Sequence, residues 1–253
     1  MTHPLLIAGP CVLEGMASLE ESLQLQEILK GLPCQWVYKA SFDKANRTSA
    51  ASKRGVGLSQ GLELLSLIKE ALGVPVLTDV HLPDQCTPVA EVVDILQIPA
   101  FLCRQTDLLL AAANTGKTIN LKKGQFLSPA DFSHACKKIT EQGNADVLLT
   151  ERGSTFGPGG LVVDFTGLPV MQKTGHPVIL DATHAVQQPG SGTGITGGNW
   201  KMAPLLLRAG AAAGFDGYFV ETHLDPQRSP SDAANMIPFS ALREVIEETL
   251  EIH

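Results

Sequence analysis

Short apolar runs alternate with amphipathic stretches from one end of the chain to the other. The runs are Leu5–Cys11, Trp36–Ser41, Val74–Val80, Val93–Ile98, Thr118–Lys122, Asp146–Arg152, Val178–His184 and Gly217–His223. Their apolar positions are mostly continuous rather than alternating, as in strands covered on both faces of a parallel sheet. Between them, apolar residues recur at helical spacing. Leu25, Ile28, Leu29 and Leu32 do so, as do Leu62, Leu65 and Ile68, and Leu242, Val245, Ile246 and Leu250. Ser18 with Glu21 three residues later predicts a capping box opening the first helix. Ser128-Pro129 predicts another start, with proline in the favoured first position. Further helices are expected from about Pro83, after Thr106-Asp107, near Pro169 to Lys173, and over Met202 to Ala213. Gln187 to Asn199 is rich in Gly, Ser and Thr and reads as a mobile loop.

Eight strand-then-helix units close naturally into a (β/α)8 TIM barrel of the α/β class. An open doubly wound sheet is the alternative, but no GxGxxG opens the first helix. The 253 residues contain no linker and no shift in composition, so 1–253 is expected to be a single barrel domain. Hydrophobic residues make up 44%, enough for a large core, while aromatics are only 5%, so small aliphatics carry the packing.

A formal charge of −7 argues against a nucleic-acid partner. No apolar stretch approaches the length of a membrane span, and Leu5–Ala8 lacks the basic flank of a signal peptide. The five cysteines, Cys11, Cys34, Cys86, Cys103 and Cys136, are odd in number and form no CxxC, which fits a reducing cytoplasm. Against this acidic background Lys39, Lys44, Arg47, Lys53 and Arg54 crowd one short stretch with a single acid, Asp43. Asn46, Thr48 and Ser49 lie among them. Fixed cations beside amide and hydroxyl groups suit a phosphorylated, hydroxyl-rich small molecule; a solvated basic loop is the plainer alternative.

Polar residues gather at the carboxyl ends of the runs: Cys11, Lys39, Ser41, Asp79, His81, Gln97, Lys122, Glu151, Arg152, Asp181, His184, Glu221 and His223. In a barrel these ends ring one mouth, where active sites are built. Lys39, Lys44, Arg47, Lys122 and Arg152 would repel one another there unless anions occupied the mouth, or unless local acids such as Asp43 or Glu151 paired with them. Cys11, His184 and Glu221 end strands that closure makes neighbours, and Asp232 follows in the next loop. Thiolate, imidazole and carboxylate suit a divalent ion such as zinc, iron or manganese. Core burial is the rival reading for a lone cysteine.

Several motifs occur together and in order: Ile7-Ala-Gly-Pro-Cys11, Lys39-Ala-Ser-Phe-Asp-Lys-Ala-Asn-Arg-Thr-Ser49, Pro99-Ala-Phe-Leu-Cys-Arg-Gln-Thr-Asp107, Lys122-Lys-Gly-Gln-Phe126, Thr150-Glu-Arg-Gly153 and Asp181-Ala-Thr-His184. With them the chain closely resembles the 3-deoxy-D-manno-octulosonate 8-phosphate synthase family over nearly its whole length. The resemblance implies a (β/α)8 barrel, usually a homotetramer, that condenses phosphoenolpyruvate with D-arabinose 5-phosphate. The enol carbon attacks the sugar aldehyde, water adds at the enol-ether carbon, and carbon–oxygen cleavage releases phosphate. The product enters the inner core of lipopolysaccharide.

Cys at position 11 implies the metal-dependent class, with Cys11, His184, Glu221 and Asp232 as ligands. By the same resemblance, Lys122 and Arg152 hold the phosphoenolpyruvate phosphate, Lys44 and Ser41 surround its carboxylate with Lys39 close by, and Gln97 belongs to the same binding set. Asn46 meets sugar hydroxyls, and Arg47 and Thr48 grip the far phosphate. Lys44, Asn46, His184 and Cys11 are the expected catalytic groups. Arg104 is expected to reach in from a neighbouring subunit, and the Gln187–Asn199 loop to close over the sugar phosphate. Thr48 is commonly Ser in relatives, which keeps the hydroxyl, and the longer tail of some relatives is missing. The related 3-deoxy-D-arabino-heptulosonate 7-phosphate synthases, which use erythrose 4-phosphate, carry Lys-Pro-Arg-Thr-Ser where this chain has Lys44-Ala-Asn-Arg-Thr-Ser49. A non-catalytic barrel that binds sugar phosphates is the alternative of a different class.

Overall fold

The computed structural model describes residues 3–47, 51–156, 160–188 and 197–253. Among these residues, eight parallel strands pair in chain order: β1 (Leu5–Gly9), β2 (Gln35–Lys39), β3 (Val76–Asp79), β4 (Ile95–Ile98), β5 (Thr118–Lys122), β6 (Val147–Glu151), β7 (Val178–Asp181) and β8 (Gly217–His223). β8 pairs back onto β1, with Gly217 opposite Leu5 and Glu221 opposite Gly9. The sheet is therefore a closed barrel without a free edge. The outer helices are α1 (Ala17–Leu29), α2 (Leu58–Leu72), α3 (Pro83–Val92), α4 (Thr106–Ala113), α5 (Pro129–Thr140), α6 (Leu168–Gln172), α7 (Ala203–Ala213) and α8 (Phe239–Ile252). The described residues form one (β/α)8 barrel, as the repeating pattern predicts.

Closure creates two apolar layers. The larger lies between strands and helices and contains Leu25, Leu65, Ile68, Phe132, Ile139, Leu207, Leu242 and Ile246. The smaller fills the barrel interior with Leu5, Ile7, Val37, Leu77, Ile95, Leu148, Ile179 and Phe219. Burying one such side chain contributes about 1.5–3 kcal/mol. Side chains alternate along a strand, so the next inward position toward the carboxyl end is two residues on. Those positions hold Lys39 after Val37, Asp79 after Leu77, Gln97 after Ile95, Thr150 after Leu148, Asp181 after Ile179 and Glu221 after Phe219, all buried. The interior thus changes from apolar to polar and charged within one residue pair, and a cavity begins at that level.

Local departures from the expected elements have clear causes. β1 stops at Gly9, so Cys11 sits just beyond the strand, where neighbouring Val12 bridges Ser41. β7 stops at Asp181, whose Oδ1 accepts from His184 N at 2.9 Å and caps a helical turn, Ala182–Ala185. His184 therefore lies on that turn rather than in the strand. α1 begins at Ala17, inside which Ser18 Oγ accepts from Glu14 N at 2.9 Å, so the expected capping box does not form. Leu32 falls beyond the end of α1 yet still packs on the core. The ends of the Gln187–Asn199 loop form an antiparallel ribbon, Gln187–Gln188 with Gly197–Gly198; residues 189–196 lie outside the described residues.

At the end of β1, a Cβ on Gly9 would lie 2.0 Å from the Lys39 carbonyl oxygen. Backbone cannot swing aside as a side chain can, so only glycine lets β1 and β2 approach here. Gly9→Ala should lower stability by about 1–3 kcal/mol, as overpacking of a filled core does. Urea denaturation of the variant against the parent checks this.

Candidate active site

The loops after the strands enclose a cavity of about 1160 Å³. Pockets for one small ligand run to roughly 300–1,000 Å³, so the space can hold two small substrates together. Lys39, Lys44, Asn46, Arg47, Gln97, Lys122, Arg152, His184, Glu221 and Asp232 all face it. The barrel brings together these residues, spread through most of the sequence.

On one wall, ligand atoms of Cys11, Glu221 and Asp232 lie within 4.8 Å of one another. Cys11 Sγ donates to Asp232 Oδ2 at 3.2 Å. Glu221 Oε1 accepts from Lys39 Nζ at 2.6 Å, while buried Glu221 Oε2 has no hydrogen-bond partner among the described residues. His184 stands one contact further out, with Nε2 3.8 Å from Glu221 Oε1. Its Nδ1 lies 2.8 Å from Asp181 Oδ2, which fixes the ring and turns the other nitrogen toward the cluster. Asp232 has φ 51°, the one left-handed non-glycine residue among those described. Burial pushes the Cys11 thiol well above its ordinary pKa, and Glu221 and Asp232 add to the rise. Burial would also raise Glu221, but Lys39, His184 and Lys44 outweigh it and hold this acid below the usual carboxylate range. A thiol and two carboxylates around an unpartnered oxygen form a donor set that fits a divalent cation.

The cations fall into two groups. Lys39 pairs with Glu221 and also donates to the Cys11 carbonyl at 3.0 Å. Lys122 pairs with Asp181, and its Nζ sits 3.4 Å from the centre of the Phe219 ring. The expected local partners serve other cations instead: Asp43 pairs with Arg54, and Glu151 lies 3.4 Å from Lys123. The strand alternation explains this, because Lys39 and Lys122 point inward, where Glu221 and Asp181 also point.

The two arginines have neutral partners. Arg152 Nη2 donates to Gln187 Oε1 at 2.7 Å, and its buried Nη1 has no partner among the described residues. Arg47 Nη1 donates to Ser231 Oγ at 2.7 Å and Nη2 to the Pro230 carbonyl. Burial pulls the pKa of Arg152 down against Asp181 and Asp232, and that of Lys122 down against Asp181. For Lys44, burial acts downward too, but Cys11, Glu221, Asp79 and Asp232 prevail and raise it.

Lys44 Nζ donates to Ser41 Oγ at 2.9 Å, and Ser41 Oγ donates in turn to Asp79 Oδ1. His81 Nε2 lies 2.8 Å from Asp79 Oδ2, and its buried Nδ1 has no partner among the described residues. Gln97 Oε1 accepts from Asn120 at 2.9 Å, and Asn120 accepts from Thr150 at 2.6 Å, so a polar belt crosses β4, β5 and β6. Asn46 is exposed on the cavity wall. Arg104 is exposed elsewhere, beside Phe126 and Lys138 in a separate hollow of about 380 Å³. Thr48 lies outside the described residues.

The sequence placed Asp181 at the mouth and Gln187 in the closing loop without naming their contacts, and it gave no role to Phe219 or Ser231. Asp181 was within reach, since an Asp three residues before His184 can both cap and orient it. The contacts of Gln187 and Ser231 depend on loop paths that no periodicity encodes.

The chain matches the family model described as "DAHP synthetase I family" over residues 2–252. It is 56% identical to a Rhodopseudomonas palustris protein over 247 residues, 97% of this chain and 86% of that one. A Granulibacter bethesdensis protein is 54% identical over 242 residues, 95% of this chain and 86% of its own. A Desulfatibacillum aliphaticivorans protein is 52% identical over 252 residues, 98% and 91% of the two chains. All three bear the name 2-dehydro-3-deoxyphosphooctonate aldolase.

Burial would raise the pKa of Asp79, but His81, Lys44 and Lys39 outweigh it and hold the acid well below its ordinary value. A depressed acid contributes stability that is fully present above the unfolded pKa, about 3.9, and fades as pH falls below it. The stability difference between the parent and Asp79→Asn should therefore shrink as pH drops from 6 to 3. Urea midpoints across that range test it; a difference independent of pH would count against an ionised Asp79.

Proposed function

We infer the activity from membership and site together: the chain belongs to the DAHP synthetase I family, and it condenses phosphoenolpyruvate with D-arabinose 5-phosphate and water. The products are 3-deoxy-D-manno-octulosonate 8-phosphate and phosphate, and the reaction serves lipopolysaccharide synthesis. The names borne by the relatives favour the octulosonate reaction over the heptulosonate one that the family description mentions. The observation that carries the reading is one cavity with cations at two places, Arg152 and Lys122 at the β6 and β5 ends and Arg47 in the loop after β2. Two separate phosphates need two such places.

In this reading Arg152 and Lys122 hold the phosphoenolpyruvate phosphate. The unpartnered Nη1 of Arg152 supports that role, because a buried guanidinium donor without an acceptor favours an anion. Lys44, steered by Ser41, and Lys39 face the carboxylate. Arg47 and Thr48 take the sugar phosphate, Asn46 the hydroxyls, and Gln97 the remaining polar edge. Held this way, the enol carbon meets the aldehyde as an intramolecular partner would. Its attack forms the new carbon–carbon bond, and the aldehyde oxygen takes up a proton. Water adds to the cationic enol-ether carbon, and cleavage of the carbon–oxygen bond releases phosphate onto Arg152 and Lys122.

Cys11, His184, Glu221 and Asp232 would hold a zinc, iron or manganese ion, whose positive charge would orient and polarise the aldehyde oxygen. The partnerless Glu221 Oε2 beside the thiol supports this assignment. The chain works as a homotetramer in which Arg104 completes a neighbour's cavity; exposed Phe101 on the rim and exposed Phe126 beside Arg104 support an interface there. Five free cysteines fit a reducing cytoplasm, and no helix among the described residues is long and apolar enough to cross a membrane.

Phosphate release from phosphoenolpyruvate should require arabinose 5-phosphate, and erythrose 4-phosphate should not replace it. Stripping divalent ions should abolish turnover, and adding one back should restore it. Arg152→Ala should lower kcat/KM by about 10²–10³, the usual cost of a lost charge-stabilising donor. Turnover that survives complete stripping would remove the metal while leaving the reaction in place.

A further inference from the structure

We infer that Ser231 is a positioning residue that couples the sugar-phosphate end of the cavity to the cation donors. A continuous set of hydrogen bonds carries this. Arg47 Nη1 donates to Ser231 Oγ at 2.7 Å, and Ser231 Oγ donates to Asp232 Oδ2 at 3.2 Å. The same carboxylate oxygen accepts from Cys11 Sγ at 3.2 Å, while Oδ1 accepts from Gln187 Nε2 at 2.7 Å. Arg47 also grips the Pro230 carbonyl, so one guanidinium holds the loop at the two residues before Asp232. Ser231 is buried, and Asp232 adopts the left-handed backbone that an L-residue rarely keeps without support. The aim of the Asp232 carboxylate is thus set by neighbours, and Ser231 is the neighbour it shares with Arg47.

The direction of the coupling follows from the charges. A hydroxyl has one proton. Ser231 gives it to Asp232 and offers a lone pair to Arg47. While Arg47 is parked there, its positive charge reaches Asp232 through the polarised hydroxyl and opposes a second cation. A phosphate that draws Arg47 away removes that opposition and adds negative charge nearby. Cation affinity then rises, and linkage requires that a bound cation strengthen phosphate binding by the same factor. The inference rests on the preceding reading, in which Asp232 is a cation ligand and Arg47 grips the sugar phosphate.

The test is Mn²⁺ binding to the metal-stripped full-length protein by equilibrium dialysis, with and without arabinose 5-phosphate. For the parent, the sugar phosphate should tighten Mn²⁺ binding about fivefold or more. Ser231→Ala leaves Arg47 no hydroxyl through which to act on Asp232, so its Mn²⁺ affinity should be the same with and without the sugar phosphate. Ser231→Thr, which keeps the hydroxyl, should restore the response. If Ser231→Ala does not fold, Ser231→Gly takes its place, since it also lacks the hydroxyl and adds no donor atom. An intact response in the hydroxyl-free variant would overturn the inference. A parent protein that binds no Mn²⁺ would overturn the cation reading beneath it, and that is seen before any variant is made.

Discussion

The contact between Lys39 and Glu221 ties the site to the barrel. Both side chains are almost wholly buried, their atoms are 2.6 Å apart, and they come from β2 and β8, the two neighbours of β1. A charge buried alone costs several kcal/mol, and removing one member of a buried pair typically costs about 3–5 kcal/mol. The second pair, Lys122 with Asp181, repeats the arrangement across β5 and β7. Apolar residues of similar volume would serve stability as well or better in such places. The ion pairs therefore lie where the fold bears their cost for function, directly above the apolar layer of Ile7, Val37, Leu77, Ile179 and Phe219. That layer keeps water from entering below, so the pairs act in a medium where charge interactions are strong.

The barrel could be read from the sequence because its strongest signal is repetition. Eight apolar runs, each followed by a helical stretch, leave few ways to bury both faces of every strand. β5 and β8 match the expected runs at both ends. The misplaced features are those decided by one hydrogen bond. Asp181 ends β7 early by capping the next turn, which moves His184 off the strand. Ser18 turns to Glu14 N rather than capping α1. Propensity ranks such alternatives within about 1 kcal/mol of each other, whereas the packed environment decides among them.

The convergence of the candidate residues on one cavity was legible in the sequence, but their pairing was not. Cys11, His184 and Glu221 could be grouped because closure makes their strands neighbours, with Asp232 in the next loop; the structure brings Cys11, Glu221 and Asp232 within 4.8 Å and leaves His184 beside Glu221, one contact further out. The partners of the cations could not be read this way. Sequence proximity points to Asp43 and Glu151, yet alternation turns Lys39 and Lys122 inward, toward acids far away in the chain. Ser231 and Gln187 were hidden for a further reason, since each acts from a loop whose path depends on the packed barrel beneath it.

The structure sorts its cations by the kind of partner each has, and the sorting bears on how a substrate could enter. Lys39 and Lys122 are held by carboxylates, which fixes them in place and neutralises much of their charge. Arg47 and Arg152 are held by a hydroxyl, a backbone carbonyl and a side-chain amide, all neutral. A neutral hydrogen bond contributes about 0.5–1.5 kcal/mol net, so parting an arginine from such partners costs far less than parting a buried ion pair. An incoming phosphate offers a charged, bidentate acceptor in exchange, which is a stronger partner than the one given up. Arginine also stays charged when partly buried, where lysine can lose its proton. Lys39 and Lys122 are thus fixed by charged partners, and Arg47 and Arg152 are cations whose neutral partners an anion would replace at lower cost.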